Sequence, residues 1–398
     1  MSKRYNSLGV WLCYLFTIAI FTRGCIKGPA LERDQPTNEG ERASDSSDSG
    51  LESWGTNAQE VIERLVNGYG TDVISPQITT FVDLIERMRN AIITLDDTLT
   101  RGDDHIAALS EARLAWAAAT MAWQKGVFII LDRQDNFKYL YNYPHFVRCV
   151  LDRRIISEEK SEPNRSSYTA LDTIEYLLYA DSSFGCPSAS ERLEEQRELW
   201  SNLSSTEILR KRINLAKLIA SDMYEKVVEI QQETWTVDTP RDLEYGFTRI
   251  VKLASLLKHF VLLPKLALPL NLLPFYECED FECLDKLELR LSGLGVVAIQ
   301  KNLEGIRTLF YGDRGPGIDD ILIVSGAGEL VERMERELTE AEAAVRNIPE
   351  SIGQSVRNGD AKVDQLHKEI FDIVQLLEKE ISTVLGVNLI EHSSGSMD

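Results

Sequence analysis

The chain has 398 residues, of which 43% are hydrophobic, and it carries a formal net charge of −20. This length allows one large domain or two smaller ones, with enough apolar side chains for a sizeable core. The acidity argues against binding to nucleic acid and against docking by charge on anionic lipid, because both require basic surfaces.

Residues 1–24 are typical of an export signal. Lys3 and Arg4 precede the apolar run 8–21, which is short for a membrane span and suits the core of a signal peptide. The run ends at "TRGC", which resembles a bacterial lipoprotein cleavage site. We therefore expect Cys25 to be the lipidated first residue of the mature protein. An ordinary cleaved signal and an uncleaved anchor are the alternatives, since Arg23 is unusual at such a site.

Residues 25–54 are predicted to be the lipidated cysteine and a disordered linker, because the stretch 32–53 is polar, charged and of low complexity. The lipid anchor makes the membrane a partner and places the protein in the bacterial cell envelope. Cys25 is followed by Ile26 and not by an aspartate, which favours an outer-membrane lipoprotein facing the periplasm or the surface.

From about residue 55 the apolar residues recur at helical spacing, and strand-like alternation is absent. The predicted long helices are 111–130, 204–235, 241–270, 282–310, 328–348 and 361–385. Ser204 and Glu207 form the capping-box pattern at the start of the second. Long amphipathic helices bury their apolar stripes as antiparallel bundles. The sequence therefore predicts an all-α protein.

The break before Pro240 is where we place the boundary between two bundles. The N-terminal bundle is predicted to cover 55–237 and the C-terminal bundle 238–388. A disordered tail, 389–398, follows.

Six cysteines are present, of which Cys13 leaves with the signal and Cys25 is the lipidation site. The other four can form two disulfides in an oxidising periplasm. Cys149–Cys186 with Cys278–Cys283 is the simplest of the three possible pairings. Cys278 and Cys283 lack the further cysteine or histidine neighbours of a zinc site.

The stretch "SYTALDTIEYLLYA" (167–180) places acids on an apolar helical face. Glu175 falls in the same stripe as Leu171 and Ile174, and Asp172 lies one turn earlier on that side. A buried carboxylate must be paired, hydrogen-bonded or bound to a cation. An ion pair between Glu175 and an arginine or lysine across the bundle is the structural alternative to a site.

Three regions together resemble the imelysin family of bacterial envelope proteins. The first is the tryptophan-bearing helix "ARLAWAAATMAWQKGVF". The second is "TALDTIEYLLYA", which looks like the family's Gly-x-His-x-x-Glu signature helix. The third is "LSGLGVVAIQKNLEGIRTLFYGDRGPGIDDIL", similar to a family segment with a serine, an Asn-Leu-x-Gly-like step and a closing Tyr-Gly. The resemblance covers roughly residues 76–385.

The resemblance implies two helical bundles with a site between them and a periplasmic or outer-membrane location often linked to iron uptake. Some members are described as metallopeptidases. The signature aligns Ala170 with the glycine, Asp172 with the histidine and Glu175 with the glutamate. Only Glu175 matches, and an Asp-x-x-Glu pair offers hard oxygen ligands that suit Ca²⁺, Mn²⁺ or ferric iron better than zinc.

We therefore predict binding of a metal ion or an iron-containing ligand by Asp172 and Glu175, without catalysis. His259, on an apolar predicted helix, is a further candidate ligand, with a core histidine as its alternative. Other envelope iron-uptake proteins are candidate partners. The competing functions are a metal-dependent peptidase and a structural or partner-binding lipoprotein without a metal site.

Overall fold

The computed structural model describes residues 55–130, 148–157, 170–186, 193–232, 246–248, 250–251, 287–349 and 351–387. Within these ranges the regular elements are helices and none is a strand, so the predicted all-α class is confirmed. None of the helices in these ranges has both the length and the apolar composition needed to cross a membrane.

Several sequence predictions concern segments outside the described residues. These are the signal, Cys25 and the linker, the bundle boundary at 237/238, His259, Cys278, Cys283 and the tail. They stay predictions.

The first group of helices contains the signature helix. Its members are α1 (Thr56–Gly68), a π-helical turn (Tyr69–Ile74), α2 (Ser75–Arg101), α3 (Ile106–Ile130), α4 (Arg148–Ser157), α5 (Leu171–Tyr179), α6 (Glu194–Ser201) and α7 (Ser205–Gln232). Helix α2 packs against both α3 and α7, and the short α5 lies against the same two helices. The signature helix thus packs against two of the three longest helices of this group.

The predicted capping box at the start of α7 is confirmed. The Ser204 backbone N–H donates to Glu207 Oε2 at 2.8 Å, and the Glu207 N–H donates to Ser204 Oγ at 3.3 Å. These bonds satisfy two donors at the N-terminus that no helical carbonyl reaches.

The second group follows residue 287. Its members are α8 (Gly295–Tyr311), α9 (Ile318–Val324), α10 (Gly328–Arg346), α11 (Ile352–Arg357), α12 (Ala361–Gln375), a π-helical turn (Leu376–Ile381) and α13 (Ser382–Val384). Helix α10 packs along α12 and also contacts α8 and α9. Helix α8 packs against α3, so the two groups meet along these two helices.

The predicted helix 282–310 is wrong for residues 287–294, which are not helical: residues 288–293 form turns, and α8 begins at Gly295. Residues 282–286 lie outside the described part of the chain. Leu289 and Gly293 have φ values of 56° and 73°. Left-handed backbone cannot continue a right-handed helix, and it is costly for leucine. Leu289 is the one non-glycine residue with positive φ in the described part of the chain.

Candidate functional site

Helix α5 is held at both ends by side chains of α3. The Trp116 indole N–H donates to the Leu171 carbonyl at 2.7 Å. At the other end, the Arg113 guanidinium donates to the Leu178 carbonyl at 2.8 and 3.0 Å and lies over the Tyr179 ring. Trp116 is fully buried. These contacts fix the rotation of α5 and therefore the direction in which Glu175 points.

A buried ion pair lies beside α5, and the residue of α5 that contacts it is Tyr176. Arg212 of α7 lies 3.4 Å from Asp152 of α4, and both side chains are almost completely buried. The Tyr176 hydroxyl donates to Asp152 Oδ2 at 2.7 Å and accepts from Arg212 at 3.2 Å. Burial raises the pKa of Asp152, and the Arg212 charge opposes that rise.

The same arginine anchors the loop that follows α5. Arg212 donates to the carbonyls of Ala180 and Asp181 at 3.0 and 2.5 Å. The Gly185 N–H donates to Asp152 at 2.7 Å, and Cys186 forms a disulfide with Cys149. A Cβ at Gly185 would lie 2.9 Å from the Tyr176 hydroxyl, so only glycine fits there. Sequence reasoning missed Arg212. Its position one helical turn after the buried Ile208 is the same kind of signal as the one that placed Glu175 on an apolar helical face.

Glu175 is 5% exposed and accepts a hydrogen bond of 2.8 Å from the backbone N–H of Ser292. Burial, together with the smaller effect of the negative charges of Asp172 and Glu288, raises its pKa to about 7, against the hydrogen bonding of Ser292. Among the described residues, the charged groups that act most strongly on Glu175 are thus acidic.

Ser292 reaches Glu175 because of the turn that sequence reasoning missed. Its hydroxyl donates to the Leu289 carbonyl at 3.2 Å, and the left-handed Leu289 and Gly293 bracket it. The turn presents the Ser292 N–H to the carboxylate from the second helix group. Backbone strain of this kind is concentrated at functional sites.

A chain of polar side chains extends from this turn into the contact between α3 and α8. Gln124 donates to Glu288 at 2.5 Å, and Asn302 donates to the backbone carbonyl and side-chain oxygen of Gln124 at 2.7 and 3.0 Å. Asn302 is fully buried, and its Oδ1 has no hydrogen-bond partner among the described residues. The three regions that carry the family resemblance therefore meet here.

The structure brings Asp172 and Glu175 together and adds Glu288, which the sequence did not single out. Carboxylates and the free amide oxygen of Asn302 are hard ligands, so the residues present fit a hard cation and not zinc. Within the described residues, these acids do not place three ligand atoms within 4.8 Å of one another. Glu288 is instead hydrogen-bonded to Gln124.

Comparison with known proteins agrees with this architecture. A candidate iron-regulated protein A precursor from Parabacteroides distasonis is similar with a TM-score of 0.59 and 13% identity, over 80% of this chain and 93% of that one. An imelysin-like protein from Psychrobacter arcticum is similar with a TM-score of 0.54 and 14% identity, over 83% and 97% of the two chains. These identities show a shared fold only. No curated protein sequence matches the chain closely enough to count as a relative.

The family model Imelysin (Peptidase_M75) matches residues 78–379, which include α5, the Ser292 turn and α8. The chain belongs to the imelysin family.

Proposed function

We propose that the site between α3, α5, α8 and the Ser292 turn binds a hard cation, or an iron-containing ligand that presents one, without catalysis. The observation that carries the proposal is the buried Glu175 carboxylate, whose nearby charges, Asp172 and Glu288, are both acidic. A buried carboxylate with other acids beside it favours a bound cation, because an uncompensated buried charge is costly.

Glu175 gives this binding a pH dependence. Its pKa of about 7 leaves roughly half of the carboxyl groups protonated at neutral pH. A cation must displace that proton, so binding releases protons and strengthens as pH rises.

Binding without peptide hydrolysis is favoured by the residue at position 172. Aspartate stands where the signature of the family has histidine, and aspartate supplies a hard oxygen ligand. The similar Parabacteroides protein is described as iron-regulated, which supports a role in iron or metal acquisition. Family membership supports a place in the cell envelope, and we propose anchoring to the outer membrane through lipid on Cys25.

Elemental analysis after loading tests the proposal. The purified protein is incubated with Mn²⁺, Ca²⁺ or ferric citrate, desalted and analysed beside Glu175→Gln. The matched control is Glu329→Gln, which changes an exposed acid on α10. We expect one metal equivalent to be lost from Glu175→Gln and retained in the control. Equal metal contents in the three proteins would refute a metal site at Glu175.

A further inference from the structure

A second group of carboxylates lies in the other part of the molecule, where α10 packs along α12. Glu337 and Glu340 are three residues apart on α10 and therefore share a face. Glu369 faces them from α12. One oxygen from each of the three side chains lies within 4.8 Å of the other two. Acids on two helices thus converge on one point.

Glu369 is the reason to regard this convergence as a site. The residue is only 4% exposed. Its Oε1 accepts a hydrogen bond from Gln365 and lies 3.6 Å from the Lys368 ammonium. Its Oε2 is buried and has no hydrogen-bond partner among the described residues. An acceptor left this way is costly, and a bound cation removes the cost.

The protein's own cations near the cluster bind other acids more closely. Lys368 lies 2.9 Å from Asp372. Arg333 donates to both oxygens of Glu380 at 2.6 and 2.7 Å, but it lies 3.7 Å from Glu337. Glu340 has no ion-pair or hydrogen-bond partner in the part of the chain that the structure describes.

The charges around Glu369 also favour a bound cation. Burial raises the pKa of Glu369, and the negative charges of Glu340, Asp372 and Glu337 raise it further, against the opposing effect of Lys368. The negative charge of this cluster is therefore only partly balanced.

We infer that Glu337, Glu340 and Glu369 bind a divalent cation of the calcium class, which clamps α10 to α12. Three carboxylates supply only hard oxygen donors, and Ca²⁺ accepts the irregular geometry that side chains from two helices provide. Glu340 is exposed, Glu337 is partly buried and Glu369 is buried. A cation can therefore enter from solvent and reach Glu369 while keeping water ligands. This site is independent of the one at Glu175.

Thermal unfolding of the full chain with CaCl₂ tests the inference. For a dissociation constant near 0.1–1 mM, typical of weak calcium sites, 10 mM Ca²⁺ should raise the Tm of the wild type by about 2–5 °C. Glu340→Gln should lose most of this rise, because it removes an exposed ligand without disturbing the core. Glu369→Gln should also lose it, and its Tm without calcium should be unchanged or higher.

Two further variants separate the site from other effects of calcium. Glu332→Gln removes an exposed acid of the same helix outside the cluster and should keep the calcium-dependent rise. In a Glu175→Gln background, which removes the proposed site in the first helix group, the calcium-dependent rise that remains belongs to the cluster, and adding Glu340→Gln should remove it. The inference is overturned if calcium does not raise the wild-type Tm, if Glu340→Gln responds like the wild type, or if Glu332→Gln loses the response.

Discussion

Glu175→Gln should make the metal-free protein more stable at alkaline pH. Glutamine keeps the size of the side chain and an oxygen that can accept from the Ser292 N–H, but it carries no charge. It therefore imitates the protonated form of Glu175, which the buried position prefers.

The size of the effect follows from the pKa of Glu175, which rises from 4.5 in the unfolded chain to about 7 in the folded protein. A folded-state pKa above the unfolded value contributes stability that is fully present below pH 4.5 and is lost as pH rises through 7. The loss amounts to about 3 kcal/mol, because each tenfold difference in proton affinity corresponds to about 1.4 kcal/mol. Wild type and variant should thus be similar at pH 4.5, and the variant should be more stable by up to about 3 kcal/mol at pH 8.

Urea unfolding of both proteins from pH 4.5 to 8, with a chelator present, measures this difference. Titrating groups far from position 175 contribute equally to both curves, so the difference between the two free energies of unfolding reports on Glu175 and on the acids beside it, Asp172 and Glu288. Adding the cation that the wild type binds should narrow the gap at pH 8. The same cation should not raise the free energy of unfolding of the variant through this site.

The opposite sign would refute the reasoning. If Glu175 balanced a buried arginine or lysine, the variant would strand that cation and lose about 3–5 kcal/mol at pH 8. A difference that does not change with pH would show that the carboxyl does not titrate in this range.

Arg212→Met should destabilise the protein by about 3–5 kcal/mol in urea unfolding, because it leaves the buried Asp152 without its cation. Adding Asp152→Asn should recover a large part of the lost stability. A loss below about 1 kcal/mol for Arg212→Met would contradict the buried ion pair. Cys25→Ser should release the protein from membranes into the soluble periplasmic fraction, as judged by fractionation and immunoblotting. If that variant stays with the membranes, the apolar run 8–21 is the anchor instead.

Sequence patterns predicted the signature helix well because its information is local. The period of apolar residues placed Glu175 inward, and Glu175 is buried in α5. The helix was expected from the stretch 167–180 and is observed over Leu171–Tyr179. Trp116 and Trp123, seven residues apart on one side of the apolar helix α3, are buried as well.

The partners of Glu175 were not predictable in the same way, because they depend on backbone conformation and on contacts distant in sequence. Residues 282–310 have helical periodicity, which predicts a helix at the place where Glu288 and Ser292 lie in a turn. Only the left-handed Leu289 and Gly293 turn that segment towards α5, and 117 residues separate Ser292 from Glu175. Nothing local in the sequence of α7 indicates that Arg212 will meet Asp152.

The disulfide between Cys149 and Cys186 closes a loop that contains the whole of α5, with a sequence separation of 37 residues. A covalent loop of this length restricts the unfolded chain by roughly 4 kcal/mol in the chain-entropy account. Protein produced in a reducing cytosol lacks the disulfide and therefore this stabilisation. The lost free energy of unfolding is as large as the stability change expected for Glu175→Gln. Batches prepared in different compartments are therefore not interchangeable as references. Counting free thiols in each variant before unfolding decides whether a stability difference belongs to the substitution or to the redox history of the sample.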